Sequence, residues 1–550
     1  MSRSYMAVVV CLAFLWSLVL GSPEKEPSFK QRCHDFKPLS YVANATVNAQ
    51  EFISAGQTIL YPSNDPSCNR PSQNVSVDIC RIALNFTTSD RSHVLSEVWL
   101  PQNWTGRFLA TGNGGIDGCT KYEDIDYGVK YGFATVGSNN GHNGTGGASF
   151  LNNDEVLKDF VFRALHSSAT IAKTLTSKFY HQPPKKAYYI GCSGGGRQGL
   201  KAAEMYPKDY DGILIGAPAS NFNNMSSWRA SFAGKTGAPG SADFISPAMW
   251  QGLIHDEVLK QCDFNDGVRD GILENPGECG FDPARLLCKE GTTNSSACLS
   301  LAQVGIVKSV FSPLYGEGGE LVYPAMQHGS EIAASTGLYS GTPFPYSVVY
   351  PPLCFPTIPP NKKKDWFRYV VHKDPLWDPL TFSQKDITLA QSLNPFNVQS
   401  FPDNLTTFQT NNGKIILYHG LQDQQISSFA TNRLHNHLAE SAASRAQLDS
   451  FLKYFQISGL NHCNSGPGAW MIGQSTQGDS ERGFKAESNV LAALVAWVEG
   501  GRVPETVEGV KFEGDRKGGV VLRTRRHCAW PSANRFLGSE GEKGENWVCV

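Results

Sequence analysis

Several absences narrow the reading before any motif is considered. The 550 residues carry no basic excess: 48 Lys and Arg stand against 50 Asp and Glu, a formal charge of -2. Nothing is therefore available to replace the counterions around a phosphate backbone, and a nucleic-acid partner is excluded. Past the N-terminus no apolar run is long enough to span a bilayer. No H-E-x-x-H pairing or compact histidine cluster supports a zinc centre, and no Lys-Ser/Thr pair follows a glycine-rich turn as a phosphate loop requires. Internal repeats and long low-complexity segments are missing too. What remains, 41% apolar and 18% charged residues, describes an ordinary folded protein, longer than one hydrophobic core normally serves.

The N-terminus has the layout of a secretory signal: Arg3, an apolar stretch from Met6 to Leu20, then the small residues Gly21 and Ser22. Residues 1–22 are expected to be removed, leaving a secreted, extracellular chain with no membrane attachment. Sequons at Asn44, Asn74, Asn85, Asn103, Asn143, Asn224, Asn294 and Asn404 agree with export. So does the cysteine usage, since the 14 cysteines less Cys11 of the signal leave an odd, disulfide-rich set with at least one thiol over.

From about Val94 to Ala217 strand-like and helix-like segments alternate, as a mostly parallel sheet with crossover helices requires. Val98–Leu100, Phe108–Thr111, Ala134–Gly137, Ala187–Ile190 and Gly212–Ile215 read as strands, and Asp154–Phe179 as a long helix. Between about Asn221 and Asn404, Pro, Gly and Cys accumulate and the alternation stops. It returns with strand Lys414–Tyr418, helix Ser428–Ala443, strand Leu452–Ile457 and helix Glu487–Glu499. The expected organisation is a catalytic domain in two pieces, 23–220 and 405–550, interrupted by a lid, 221–404.

Gly191-Cys192-Ser193-Gly194-Gly195 is the one G-x-S-x-G match, and it lies between a strand and the helix-like Arg197–Met205. Such a turn lifts a serine hydroxyl above the sheet edge, which is the nucleophile elbow of an α/β-hydrolase fold. A serine needs a base, and the base needs an orienting acid, in the chain order Ser, Asp, His. Asp423 follows strand Lys414–Tyr418 and His462 follows strand Leu452–Ile457, each on the loop at a strand's carboxyl end. Read singly, Asp423 also suits a helix cap and His462 an ordinary loop position; read with Ser193, the three suit one acyl-transfer site. Cys192 precedes the nucleophile and Cys463 follows the base, so hydrogen-bonding proximity of Ser193 and His462 predicts a Cys192–Cys463 disulfide. For the oxyanion the N–H of Gly194 is the first donor, and Gly115, or its neighbour Gly114, in the loop Thr111-Gly112-Asn113-Gly114-Gly115 is the second.

Within the insertion, residues 263–272 place Asp263, Asp266 and Asp270 among glycines. Crowded carboxylates repel unless a cation lies between them, and oxygen ligands suit calcium; a solvated acidic turn is the alternative. The site has no evident tie to the elbow, so any calcium there is expected to be structural.

These residues resemble the fungal tannase and feruloyl esterase family over nearly the whole mature chain. The most specific match is Cys192-Ser193 with Asp423 and His462-Cys463; Gly195-Gly196-Arg197-Gln198-Gly199 also fits, whereas Gly194 stands where the family commonly has Thr or another residue. The resemblance implies a lid over the active site and calcium held by the side chains of Asp263, Asp266 and Asp270 with main-chain oxygens of Val268 and Ile272. It further implies the disulfides Cys33–Cys80, Cys68–Cys119, Cys262–Cys279, Cys288–Cys298 and Cys528–Cys549, with Cys354 as the odd thiol.

The expected activity is therefore serine carboxylic-ester hydrolysis through an acyl-enzyme. The expected partners are phenolic-acid esters of plant polysaccharides, releasing ferulic-type hydroxycinnamic acids, or, as the alternative, galloyl esters of tannins. Lid aromatics such as Tyr346, Tyr350, Phe355, Trp366, Phe367 and Trp377 are candidates to stack on a phenolic ring, or to form lid core. A carbohydrate-binding or adhesion protein on a catalytically dead scaffold is the competing class, and an intact Ser, Asp and His argues against it.

Overall fold

The computed structural model describes residues 27–291, 296–342, 366–476, 478–538 and 544–550. The signal segment 1–22, Asn294, Tyr346, Tyr350, Cys354 and Phe355 lie outside the described residues.

The centre of the molecule is a nine-stranded sheet: β1 (Ala45–Ile53), β2 (Ile79–Ser89), β3 (Ser92–Pro101), β4 (Arg107–Thr111), β5 (Phe133–Ser138), β6 (Lys186–Cys192), β7 (Gly212–Gly216), β8 (Lys414–Gly420) and β9 (Leu452–Ile457). Their spatial order is β1-β2-β3-β5-β4-β6-β7-β8-β9. The first three strands and the β3/β5 pair run antiparallel, whereas β5, β4, β6, β7, β8 and β9 run parallel. Strand β7, Gly-Ile-Leu-Ile-Gly, is buried at every position. This is why it reads as a continuous apolar run: a central parallel strand has helices on both faces.

Helices α1 (Tyr122–Lys130), α2 (Ala164–Phe179), α3 (Gly194–Met205) and α5 (Ser428–Ser441) join successive parallel strands, and α6 (Val490–Gly500) closes the sheet after β9. The segment Asp154–Phe179 is helical as expected, but a wider turn at Asp159–Arg163 interrupts it. The guanidinium of Arg197, fully buried on α3, donates to the carbonyls of Phe160 (3.0 Å) and Val161 (3.1 Å) in that turn. Helix α6 begins later than the apolar pattern suggested, at Val490, because the Asn489 side chain caps it by accepting from the N–H of Ala492.

The chain between β7 and β8 leaves the sheet. Its helix α4 (Phe222–Thr236) packs in a buried cluster with Trp250, Tyr323, Tyr339 and Trp366. That cluster is continuous with Ile116, Phe150 and Phe160 of the sheet-bearing body, so the insertion is fixed over the carboxyl ends of the strands by a shared apolar core. Trp366 and Phe367 are buried in it, and Trp366 donates its indole N–H to Asn223 (2.9 Å), so these two are core rather than exposed stacking surfaces. Among the described residues six disulfides are present: Cys33–Cys80, Cys68–Cys119, Cys192–Cys463, Cys262–Cys279, Cys288–Cys298 and Cys528–Cys549. Among the described residues no helix is long and apolar enough to cross a membrane.

Candidate active site

Strand β6 ends at Cys192 and α3 begins at Gly194, so Ser193 makes the whole turn alone, at φ 65° and ψ -121°. A non-glycine residue at such a φ is strained, and the surroundings must over-determine it. They do so here with three backbone hydrogen bonds: Ser193 N–H donates to Gly216 (3.0 Å), and its carbonyl accepts from Arg197 (3.0 Å) and Ala219 (3.0 Å). Gly194 is required by close approach, since a Cβ there would lie 2.5 Å from the carbonyl oxygen of Gly115.

The other two candidate groups arrive at neighbouring strand ends. His462 Nε2 is 2.8 Å from Ser193 Oγ, and His462 Nδ1 is 2.7 Å from Asp423 Oδ2. Gln424 accepts from the backbone N–H of His462 (3.0 Å), and the Cys192–Cys463 bond ties the histidine loop to the elbow. Asp423 is completely buried, and its Oδ1 accepts from the N–H groups of Gln425 (2.7 Å) and Ile426 (2.9 Å). Burial alone would raise this carboxyl's pKa. The imidazoles of His462 and His419 outweigh burial and hold it well below the usual carboxylate range.

His419 was not among the residues read from the sequence. It is buried at the end of β8, with Nε2 3.1 Å from the same Asp423 Oδ2 and Nδ1 2.6 Å from Thr431 Oγ1. The signal for it was its position four residues before Asp423. A second missed residue is Gln327, contributed by the insertion, whose amide donates to the carbonyl of Asp423 (2.5 Å) and accepts from Ser428 N–H (3.0 Å).

On the oxyanion side, the N–H of Gly194 opens α3 and has no intrahelical acceptor. Gly115 lies against it: the same built Cβ on Gly194 is 3.1 Å from Gly115 N. The N–H of Gly114 donates to Asp117 Oδ1 (3.3 Å), which leaves Gly115 as the candidate second donor.

The acidic loop is only partly gathered. Asp263 accepts from Gly271 N–H (3.1 Å), Asp266 Oδ1 from Val268 N–H (3.1 Å) and Asp270 Oδ1 from Ile272 N–H (3.0 Å). Among the described residues no three acidic, His or Cys side chains converge as a ligand set, because Asp270 Oδ2 pairs with the buried guanidinium of Arg525. Asp266 Oδ2, however, is buried without a hydrogen-bond partner. Burial first, with Glu274 and Asp270 adding to it against the Val268 hydrogen bond, pushes the Asp266 carboxyl up to about 7. An orphaned, buried carboxylate oxygen fits a hard cation.

The loop also lies near the segments that carry two of the candidate catalytic residues. The carbonyl of Leu273 accepts from Gln422 (3.0 Å), the neighbour of Asp423, and Arg525 reaches Ser458 Oγ (3.2 Å) at the start of the histidine loop. These contacts reach the segments bearing Asp423 and His462 and do not involve the Ser193 elbow.

A sheet of this topology, with a serine on a strained turn and His and Asp at later strand ends, defines an ester hydrolase of the α/β-hydrolase type. Residues 80–550 match the family model described as tannase and feruloyl esterase. A probable feruloyl esterase B-2 from Aspergillus flavus is 50% identical over 503 residues, covering 91% of this chain and 93% of that protein. Solved structures of an esterase and of feruloyl esterase B, both from Aspergillus oryzae, superpose with TM-scores of 0.90 and 0.88 at 43% and 41% identity. Each covers 95% of this chain and 100% of the other. The chain belongs to the tannase and feruloyl esterase family and is a carboxylic ester hydrolase.

Proposed function

We propose that this hydrolase releases hydroxycinnamic acids of the ferulic type from esters of plant cell-wall polysaccharides, with Ser193 as nucleophile, His462 as general base and acid, and Asp423 as its orienting carboxylate. The observation that carries the reading is the unbroken line from Ser193 Oγ through His462 to Asp423, with spacings of 2.8 and 2.7 Å. His462 takes the proton as Ser193 Oγ attacks the ester carbonyl, and the N–H groups of Gly194 and Gly115 receive the developing oxyanion. Asp423 fixes the imidazole with its second nitrogen toward the serine. The alcohol leaves with the proton from His462; water, deprotonated by the same imidazole, attacks the acyl carbonyl and frees the acid. The feruloyl preference is supported by the names of the relatives at 41% to 50% identity.

The insertion acts as a lid, and the loop 263–272 holds calcium through Asp263, Asp266 and Asp270 with the main-chain oxygens of Val268 and Ile272. Bound there, the ion supplies positive charge that neutralises crowded carboxylates and takes no part in ester cleavage. The protein is secreted after loss of residues 1–22 and glycosylated at its sequons; the six disulfides support an oxidising destination.

Turnover of methyl ferulate and methyl gallate, measured on the wild type and on Ser193→Ala, tests the proposal. Ferulate turnover at least about tenfold above gallate, abolished in the folded variant, is expected. A gallate preference overturns the substrate assignment, and retained turnover in the variant overturns the nucleophile.

A further inference from the structure

We infer that Gln198 is the positioning residue that sets the second oxyanion donor, by clamping the loop 111–115 to the helix that begins at the nucleophile. The inference rests on the reading of Ser193 and Gly115 given above, and extends it to a side chain that touches neither substrate nor the reacting atoms.

Gln198 is buried on α3, a little over one turn beyond Ser193. Its Oε1 accepts from the backbone N–H of Asn113 (2.9 Å), while its Nε2 donates to Asn113 Oδ1 (3.1 Å) and to Asn140 Oδ1 (3.0 Å). Asn113 in turn donates from Nδ2 to the carbonyls of Cys119 (3.0 Å) and Ser138 (2.8 Å). The helix, the glycine loop and the end of β5 are thus joined through two primary amides whose donors and acceptors are satisfied in one arrangement only. A carboxylate, an alkyl chain or an alcohol at residue 198 cannot both accept from Asn113 N–H and donate to two amide oxygens.

The clamp matters because these two backbones pass almost in contact, with the Tyr189 hydroxyl beside their junction. A Cβ on Gly112 would lie 2.7 Å from Gly195 Cα and 3.1 Å from Gln198 Oε1; one on Gly195 would lie 2.9 Å from the Asn113 carbonyl oxygen. Loop and helix therefore meet here largely as bare main chain, with hydrogen bonds to hold their register. Tyr189 reinforces the same junction, donating its hydroxyl to the Gly195 carbonyl (2.6 Å) with Gln198 Oε1 3.5 Å away. The Gln198–Asn113 pair crosses between the two segments at Asn113, two residues from Gly115. An oxyanion hole works through donors already in place when charge develops, so a shift of the loop weakens the transition state more than the bound ester.

The test is Gln198→Met, near in volume and unable to hydrogen-bond, assayed with methyl ferulate beside wild type and Ser193→Ala. Loss of one oxyanion donor costs about 10²–10³ in kcat, so partial displacement is expected to lower kcat about 10- to 100-fold. KM and the inhibition constant of the product ferulate should stay within about threefold, while inhibition by a trifluoromethyl ketone analogue weakens in step with kcat. A purely structural role would lower the melting temperature and leave the kcat of the folded fraction alone; that result, or kcat within threefold of wild type, overturns the inference. Where Gln198→Met does not fold, Asn140→Gly removes the outer acceptor and suits the positive φ of residue 140 (57°), and the expected kcat is about 3- to 10-fold down, with unchanged kcat counting against the clamp. Turnover surviving in Ser193→Ala would instead overturn the nucleophile, a failure read from a different variant.

Discussion

Cys192 and Cys463 are covalently joined with Cα atoms 6.0 Å apart, and each is the immediate chain neighbour of a residue of the proposed triad, Ser193 and His462. The bond links elements 271 residues apart in sequence and shares its location with the shortest contact between nucleophile and base. Its removal releases both the unfolded chain and the histidine loop. The double variant Cys192→Ala, Cys463→Ala is expected to lose on the order of 3–5 kcal/mol of stability. Because a displacement near 1 Å at a reacting pair costs about 10²-fold in rate, kcat should fall by a similar factor. Ester turnover of the folded variant within threefold of wild type would show that the loop holds His462 without help.

His419 competes with His462 for one oxygen of Asp423. With Nε2 toward the carboxylate and Nδ1 toward the Thr431 hydroxyl, it acts as a fixed donor that narrows the positions Asp423 can take. His419→Leu leaves that oxygen with a single imidazole and Thr431 without its partner. A kcat about tenfold lower with KM unchanged is expected, in line with the loss of one orienting hydrogen bond to a charged group. Steady-state kinetics on the variant checks this, and an unaltered kcat removes His419 from the catalytic line.

How much of this was legible in the sequence follows from the range of each signal. Strands β6 and β7 could be read because burial on both faces makes them continuous apolar runs, and the elbow could be read because its glycines sit within five residues. Asp423 and His462 followed from fold order, and their cysteine neighbours supplied a distance constraint that one sequence rarely contains. Strands β1 and β2 were missed: they precede the strand-helix alternation and pair antiparallel, so nothing in the βαβ pattern announced them. Gln198 lay inside a quoted motif, yet its role depends on Asn113 and Asn140, 85 and 58 residues away, a relation periodicity cannot express. Gln327 is a plainer case, a glutamine in an irregular segment that meets Asp423 only because the insertion folds back.

The depressed pKa of Asp423 carries a pH signature. A carboxyl whose folded pKa lies below its unfolded value of about 3.9 contributes stability that is complete above that value and fades as pH falls through the folded one. Asp423→Asn cannot titrate, so the wild type's advantage over it in urea midpoint should be constant from about pH 7 to 5 and shrink below about pH 4. Urea titrations of both proteins at pH 6, 4 and 3 make the comparison. A gap that persists undiminished at pH 3 would mean the buried carboxylate is not the group its histidine partners stabilise.

The acidic loop yields the sharpest separation of two accounts of its charge. In one, the buried Arg525, bonded to Asp270 and Glu274, already neutralises the loop, and Asp266, pushed up to about 7, is largely protonated below neutral pH. In the other, calcium occupies the space beside the orphaned Asp266 oxygen and stabilises the folded state by mass action, about 2.7 kcal/mol at a hundredfold excess over Kd. The second account predicts one calcium per chain in the purified full-length protein by elemental analysis. It also predicts a melting temperature that falls by on the order of 5 °C on dialysis against EGTA and returns with calcium but not with magnesium, whose smaller, strictly octahedral shell suits a five-oxygen protein site poorly. Asp266→Asn removes the anionic ligand while keeping its volume, so the variant should melt at the EGTA-treated temperature and ignore both chelator and calcium. If the wild type also ignores EGTA and contains no stoichiometric calcium, the guanidinium alone balances the loop and the cation assignment fails. The catalytic consequence follows from position: Gln422 and Arg525 tie this loop to the segments of Asp423 and His462, so loss of the ion should lower kcat along with stability.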